Sequence, residues 1–289
     1  MDDELKQFEV KGQTIFAKEA GREKRPIALL IHGWSSSWYA MSPMFAPLQR
    51  KYRILAVDLP GYGRSPTLLE KVTMTKYADL LADLIRSQSS KPAVLIGHSM
   101  GGMISLTMAL RHPDVVERMV LLCPTITGKL SLFINLYVSP LTFVEKYRLL
   151  NKIGSIIDPY ILGLVDRLMR PAAFSERSAI SDKEYARLRS DVRRPGQGRV
   201  RAECFWAMRE GNLSGQLQKI DKPSLVIWGM EDNTVPLRDA SLLASEWEDV
   251  DLRIMPNVSH WPQFEATETI NRYTTAFLSI PLKLLTVEL

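Results

Sequence analysis

The sequence predicts a doubly wound α/β protein, a mostly parallel sheet covered by helices on both faces. Four runs, "PIALLIHG" (26–33), "YRILAVDLPG" (52–61), "AVLIGHS" (93–99) and "ERMVLLCP" (117–124), are apolar without alternation and stop at a glycine or a polar turn. Strands apolar on both faces belong to parallel sheets sandwiched between helices. Segments of helical period separate these runs, and alternating strand and helix is the pattern of that architecture.

The elements follow in order. "QFEV" and "QTIFAKEA", short and imperfectly alternating, are parted by "KG" and predict a β-hairpin. "TMTKYADLLADLIRSQ" (73–88) sets Tyr77, Leu80, Leu81, Leu84 and Ile85 at steps of three and four, giving one apolar stripe with a polar back. "GGMISLTMALRHP" reads as a mostly apolar helix ended by His112 and Pro113. After Pro124 the strand rhythm stops until "KPSLVIWG" (222–229), an interval too long for a loop. Its first part, "SLFINLYVSPLTFVEKYRLLNKIGSIIDPYILGLVDRLMR", has helical spacing broken at Pro140, Gly154 and Pro159, and "DKEYARLRSDVRR" and "RAECFWAMREG" predict two further helices. The expected organisation is a sheet domain over 1–124 and 219–289 with a helical cap inserted at 125–218. "DLRIMPN" (251–257) predicts the last strand and "ATETINRYTTAFLSI" a closing helix.

Composition narrows the function classes. With 46% hydrophobic and 24% charged residues, the chain falls in the ordinary globular class rather than among disordered, fibrous or disulfide-framework proteins. Lys and Arg number 37 against 32 Asp and Glu, and "RLRSDVRRPGQGRVR" (187–201) carries much of the excess. Such a run serves either an anionic partner or a solvated face; without a nucleic-acid motif or interleaved aromatics, a solvated face and no nucleic-acid partner are expected. Cys123 and Cys204, far apart in apolar surroundings, predict free buried thiols, with no metal site and no cofactor. The start "MDDELKQFEV" is acidic without an apolar core for a signal peptide, and no apolar run is long enough to span a bilayer, so a cytoplasmic location is expected.

The chemistry centres on "GHSMGG" (97–102), where glycines stand two positions either side of Ser99 between a strand and a helix. In so sharp a turn the serine occupies a strained conformation, flanking side chains would collide, and its hydroxyl is presented at a helix N-terminus. A serine needs a base, and the base an orienting carboxylate. Of the four histidines, His32 follows a strand beside Gly33, His98 adjoins the serine and is expected to point away from it, and His112 ends a helix. His260 in "MPNVSHWPQFE" follows the last strand, where a loop brings it to the carboxyl edge of the sheet. The loop "MEDNTVP" after "SLVIWG" supplies Asp232, with Glu231 the competing neighbour; the turn after "MVLLC" reads "PTITG" and holds no acid. Backbone N–H groups of Met100 and of Trp34, beside Gly33, are the expected oxyanion donors. Asp58 in "DLPGYGRS" (58–65) reads as part of a structural turn.

Taken together, "HGW", "DLPGYGRS", "GHSMGG", "WGMEDNTVP" and "SHWPQFE" resemble the α/β-hydrolase fold superfamily, serine-nucleophile branch, in order and spacing across nearly the whole chain outside the cap. The resemblance implies an eight-stranded, mostly parallel sheet, a cap after the sixth strand, and the catalytic roles assigned above. Haloalkane dehalogenases and epoxide hydrolases of this fold carry aspartate where this chain has Ser99, and the elbow differs from that of proline iminopeptidases. Two chemistries remain. The first is hydrolysis of a small, largely apolar carboxylic ester through an acyl-enzyme, favoured by the "HGW" loop. The second is carbon–carbon bond hydrolysis of the meta-cleavage type, which "SHWPQFE" resembles. A third possibility of another class is a non-catalytic binding protein, or one whose cap docks on a membrane surface. The expected substrate pocket for a small molecule comprises Gly33, Trp38, Phe133, Tyr137 and Trp261.

Overall fold

A computed structural model of the chain describes residues 4–140, 142, 163, 164, 167, 170, 173–175, 180–191, 197–248 and 250–285. Its strands are β1 (Lys6–Val10), β2 (Gln13–Ala20), β3 (Ile27–Ile31), β4 (Arg53–Val57), β5 (Ala93–His98), β6 (Val116–Leu122), β7 (Ser224–Gly229) and β8 (Asp251–Met255). They form one eight-stranded sheet in the order β1-β2-β4-β3-β5-β6-β7-β8. The predicted hairpin joins β1 to β2 through Lys11 and Gly12, both at positive φ, the backbone a two-residue hairpin turn requires. β2 is antiparallel to β1 and β4, and every pair from β4 through β8 is parallel.

The unbroken apolar runs are buried on both sides for the reason the sequence implies. Alternate residues feed separate cores: Leu29, Ile31, Leu95, Leu121 and Trp228 turn to one face, and Leu30, Val94, Ile96, Leu122 and Ile227 to the other. The principal helices are α1 (Met74–Gln88), α2 (Met100–Arg111), α3 (Asp182–Ser190), α4 (Gly198–Glu210), α5 (Leu237–Glu246) and α6 (Thr267–Ser279). The stripe of α1, with Tyr77, Leu81, Leu84 and Ile85, joins α2 on the first face. On the second face, Ile270, Phe277 and Leu278 of α6 pack beside Met41, Met44 and Leu48. Thr73 caps α1 by accepting the Lys76 N–H at 3.1 Å, and Ser181 with Glu184 forms a capping box at α3.

Strand order positions the site. From β3 the chain steps to β4 on one side and returns to β5 on the other, so the loops after β3 and β5 part in opposite directions. In an open α/β sheet that divergence creates a crevice at the carboxyl ends of the strands. Ser99 follows β5, Asp232 follows β7 and His260 follows β8 at this edge.

Between β6 and β7 the described residues include a helical stretch over 132–140, then α3 and α4. Much of the segment expected as a cap, including 143–162, lies outside the described residues. Ala173, Phe174, Ile180 and Leu188 cluster with Ala40 and Trp261, tying this insertion to the loop that carries His260. Within the basic run over 187–201, expected as a solvated face, Arg189 and Arg201 are buried and Arg199 is exposed, while 192–196 lie outside the described residues. No described helix is long and apolar enough to cross a membrane.

Candidate active site

Ser99 has φ 53° and ψ −114°, a left-handed conformation costly for any residue with a Cβ. Surrounding bonds over-determine it: Ser99 N–H donates to Leu122 O at 2.9 Å, while its carbonyl accepts from Gly102 at 2.9 Å and Thr125 at 3.1 Å. The elbow is thus fastened both to α2 and to the end of β6. A Cβ on Gly97 would lie 2.4 Å from Gly101 O, and one on Gly101 would lie 2.1 Å from Ile31 O. The glycines therefore let β3, β5 and α2 close up beneath the serine. Met100 opens α2, so its N–H belongs to the first turn, whose donors have no carbonyl one turn back.

The other two side chains meet directly. His260 Nδ1 is 2.8 Å from Asp232 Oδ2, and both side chains are almost wholly buried. The second carboxylate oxygen of Asp232 accepts the N–H groups of Thr234 at 2.8 Å and Val235 at 2.9 Å, which fixes the carboxylate plane. With Nδ1 engaged by Asp232, Nε2 is the ring nitrogen that this carboxylate does not hold. Glu231, the neighbouring acid, is exposed, while its N–H binds Val258 O at 3.0 Å and links the two loops.

Ser99 and His260 line one cavity at the crevice, together with Gly33, Trp34 and Trp261. Three residues expected in the pocket stand elsewhere. Trp38 packs into the second core against Phe45, their ring centroids 6.0 Å apart. Phe133 and Tyr137 stack on each other at 5.1 Å, and Tyr137 is exposed. The residues near that stretch that line the cavity are instead Leu130, just before it, and Ile134 within it.

Sequence reasoning missed Phe174, Arg170 and Arg189 in the same wall. Phe174 stacks on Trp261 with centroids 5.9 Å apart, and Arg189 donates to the carbonyl and hydroxyl of Ser35, itself at φ 52° in the loop after β3. Arg189 lies in a charge-rich run and Arg170 at the end of a mostly apolar one; only tertiary placement distinguishes them from surface neighbours.

His98, beside the serine in sequence, turns its ring to the His260 loop. His98 is among the residues lining the cavity, and its Nε2–H donates to the His260 carbonyl at 2.8 Å while the ring lies 4.5 Å from that of Trp261. Burial, reinforced by His260, holds its pKa well below the ordinary value. His32 is likewise depressed to about 4, chiefly by burial, against the pull of the Gly33 carbonyl, which accepts from Nδ1 at 2.7 Å. Its Nε2 accepts the Leu59 N–H at 3.1 Å, so the ring is a neutral structural pin. Asp58 is structural too, accepting Trp38 and Arg64 N–H groups at 2.9 Å each.

Cys123 and Cys204 are free and buried. Cys123 Sγ lies within 4.8 Å of donor atoms of both Asp232 and His260. Metal ligation demands a thiolate, whereas burial and the Asp232 charge push the Cys123 pKa well up, and Nδ1 and Oδ2 already satisfy each other. This donor set is a poor fit for a resident ion.

The sheet order, the elbow and the loops at the carboxyl edge define an α/β hydrolase. The family model for the alpha/beta hydrolase fold matches residues 26–267, and the chain belongs to that family. Among its relatives, an uncharacterized hydrolase of Bacillus subtilis, YugF, is 29% identical over 284 residues, covering 95% of this chain and 97% of its own. A 2-hydroxy-6-oxononadienedioate/2-hydroxy-6-oxononatrienedioate hydrolase of Escherichia coli K12 is 28% identical, covering 88% and 87% respectively. Among solved structures, an enol-lactonase from Burkholderia xenovorans superposes with a TM-score of 0.78 at 20% identity, covering 95% of this chain and all of that one.

Proposed function

We propose that the chain is a serine hydrolase acting through an acyl-enzyme, with Ser99 as nucleophile, His260 as base and Asp232 as its orienting acid. The observation that carries this reading is the buried 2.8 Å contact of His260 Nδ1 with Asp232, in a cavity that the strained Ser99 also lines. His260 Nε2 takes the hydroxyl proton as Ser99 Oγ attacks the carbonyl, and Asp232 stabilises the resulting imidazolium. The N–H groups of Met100 and Trp34 hold the oxyanion, Met100 with the help of the positive end of α2. His260 then protonates the leaving group, and water activated by the same nitrogen releases the acid. Residues 125–218 act as the cap, contributing Phe174 and Leu188 to an apolar wall suited to a small acyl group.

A carboxylic ester is the leading substrate. The second reading, carbon–carbon bond hydrolysis, is favoured by Arg170 and Arg189 in the cavity wall, since the name of the Escherichia coli relative describes a dicarboxylate. One pair of assays tests both. Ser99→Ala is expected to abolish hydrolysis of short p-nitrophenyl esters while leaving thermal unfolding unchanged, and retention of most activity would remove Ser99 as nucleophile. Bleaching of coloured vinylogous 1,5-diketones by the wild type, dependent on Ser99, would establish the second chemistry. Labelling of Ser99 by a fluorophosphonate separates both from a non-catalytic binding protein.

A further inference from the structure

The backbone around His260 is gripped from several directions, and one side chain outside the triad supplies two of the contacts. Glu265 lies five residues beyond His260, just before α6, and one of its oxygens, Oε1, accepts the N–H of Ser259 and the N–H of Trp261, each at 3.1 Å. These are the residues on either side of His260. The other oxygen, Oε2, accepts the N–H of Ser175 at 2.8 Å and the Ser175 hydroxyl at 2.5 Å. Ser175 belongs to the insertion between β6 and β7, where its hydroxyl also lies 3.0 Å from Asn257 O. His260 itself donates its N–H to Ala173 O at 3.1 Å and accepts at its carbonyl from His98 at 2.8 Å. The loop thus has its donors on both sides of the base satisfied by one carboxylate, and that carboxylate is seated by the insertion.

On the serine-hydrolase reading above, we infer that Glu265 is the positioning residue for His260, holding Nε2 where it reaches Ser99 by fixing residues 259 and 261 and anchoring them to Ser175 of the insertion. A carboxylate is required because both oxygens face N–H or O–H donors, and only the ionised acid is acceptor-only on both. An isosteric amide must turn its NH₂ toward either the histidine loop or Ser175, leaving donors opposed on that side. Shortening the side chain to aspartate withdraws it from one side or the other. Base and nucleophile must meet at hydrogen-bond distance, so a small displacement of the loop falls on the chemical step.

The test compares wild type, Glu265→Gln and Ser175→Ala in two measurements: the rate of Ser99 labelling by a fluorophosphonate, and kcat and KM on a p-nitrophenyl ester, each normalised to folded protein by circular dichroism. Glu265→Gln is expected to slow labelling and lower kcat by about 10- to 100-fold with KM changed by less than about threefold. Ser175→Ala, which removes one donor and leaves the loop contacts in place, is expected to lower kcat by about two- to fivefold. A residue that served stability alone would lower the melting temperature and leave both rates per folded molecule untouched, and that result in Glu265→Gln overturns the inference. If Glu265→Gln does not fold, Ser175→Ala decides, and wild-type rates in it overturn the inference. Absence of labelling in the wild type overturns the serine-nucleophile reading itself, whereas normal wild-type labelling unaffected by the variants overturns the role of Glu265 alone.

Discussion

Asp232 touches His260 with one carboxylate oxygen and the backbone of Thr234 and Val235 with the other. This division of labour makes Asp232→Asn informative. The amide oxygen will keep the two backbone donors, which leaves NH₂ facing Nδ1. His260 must then carry its proton on Nε2, the nitrogen that on the proposed mechanism receives one from Ser99. The expected result is a fall in kcat of about 10³- to 10⁴-fold with the denaturation midpoint little changed. Ester turnover beside urea unfolding measures both, and a loss under tenfold would remove Asp232 from the mechanism.

Gly101→Ala tests the elbow as a packing device. The added Cβ would sit 2.1 Å from the Ile31 carbonyl oxygen, backbone that cannot yield without parting α2 from β3. A loss of about 3 kcal/mol or more is expected, enough to leave much of the protein unfolded. Gly163→Ala, with no heavy atom within 4 Å of the new Cβ, is the control and is expected to change stability by less than about 0.5 kcal/mol.

Arg189→Met separates the two proposed substrate classes. Losing the guanidinium leaves the buried Ser35 without two of its donors, at a cost of about 1–3 kcal/mol. If the enzyme takes carboxylate-bearing substrates, their kcat/KM will fall about tenfold or more beyond the fall for a neutral ester. An equal fall for both leaves Arg189 as a support of the loop after β3 and favours the neutral ester.

The buried histidines predict the acid limb of stability. His32 titrates at about 4 and His98 well below its ordinary value in the folded protein, while both titrate near 6.5 when unfolded. Above about pH 6.5 neither state holds the protons and the contribution is complete. Below it, the unfolded chain binds protons that the native state refuses, so stability falls by about 1.4 kcal/mol per pH unit for each ring as pH drops toward 4. Urea midpoints at about pH 7, 6 and 5 measure this, and a flat midpoint over that interval would contradict the neutral assignment.

What could be read from residue order was whatever local chemistry dictates. The apolar runs of β3 through β7, the helical stripe of α1 and the glycines around Ser99 each carry their own explanation, and the sheet they build matches the expected class. Residues 99, 232 and 260 were approachable because each sits at the end of a strand with few rivals of its type nearby. The pocket was not, since its wall depends on which side of a helix turns inward. Phe133 and Ile134 are neighbours in sequence, yet Ile134 lines the cavity and Phe133 packs beside it. Arg189 shows the same limit for charge: a composition argument treats Arg187 and Arg189 alike, although one lies over the Tyr39 ring and the other is buried against Ser35. Glu265 was in view within "SHWPQFE", but hydrogen bonds to backbone leave no periodic trace in side-chain pattern.

Cys123, at the end of β6 with φ 44°, brings sulfur to within 4.8 Å of the groups that Asp232 and His260 offer each other. The imidazole therefore has two strand ends in reach, one occupied by its acid and the other by a silent thiol. Cys123→Asp would therefore set a second carboxylate within reach of the same imidazole.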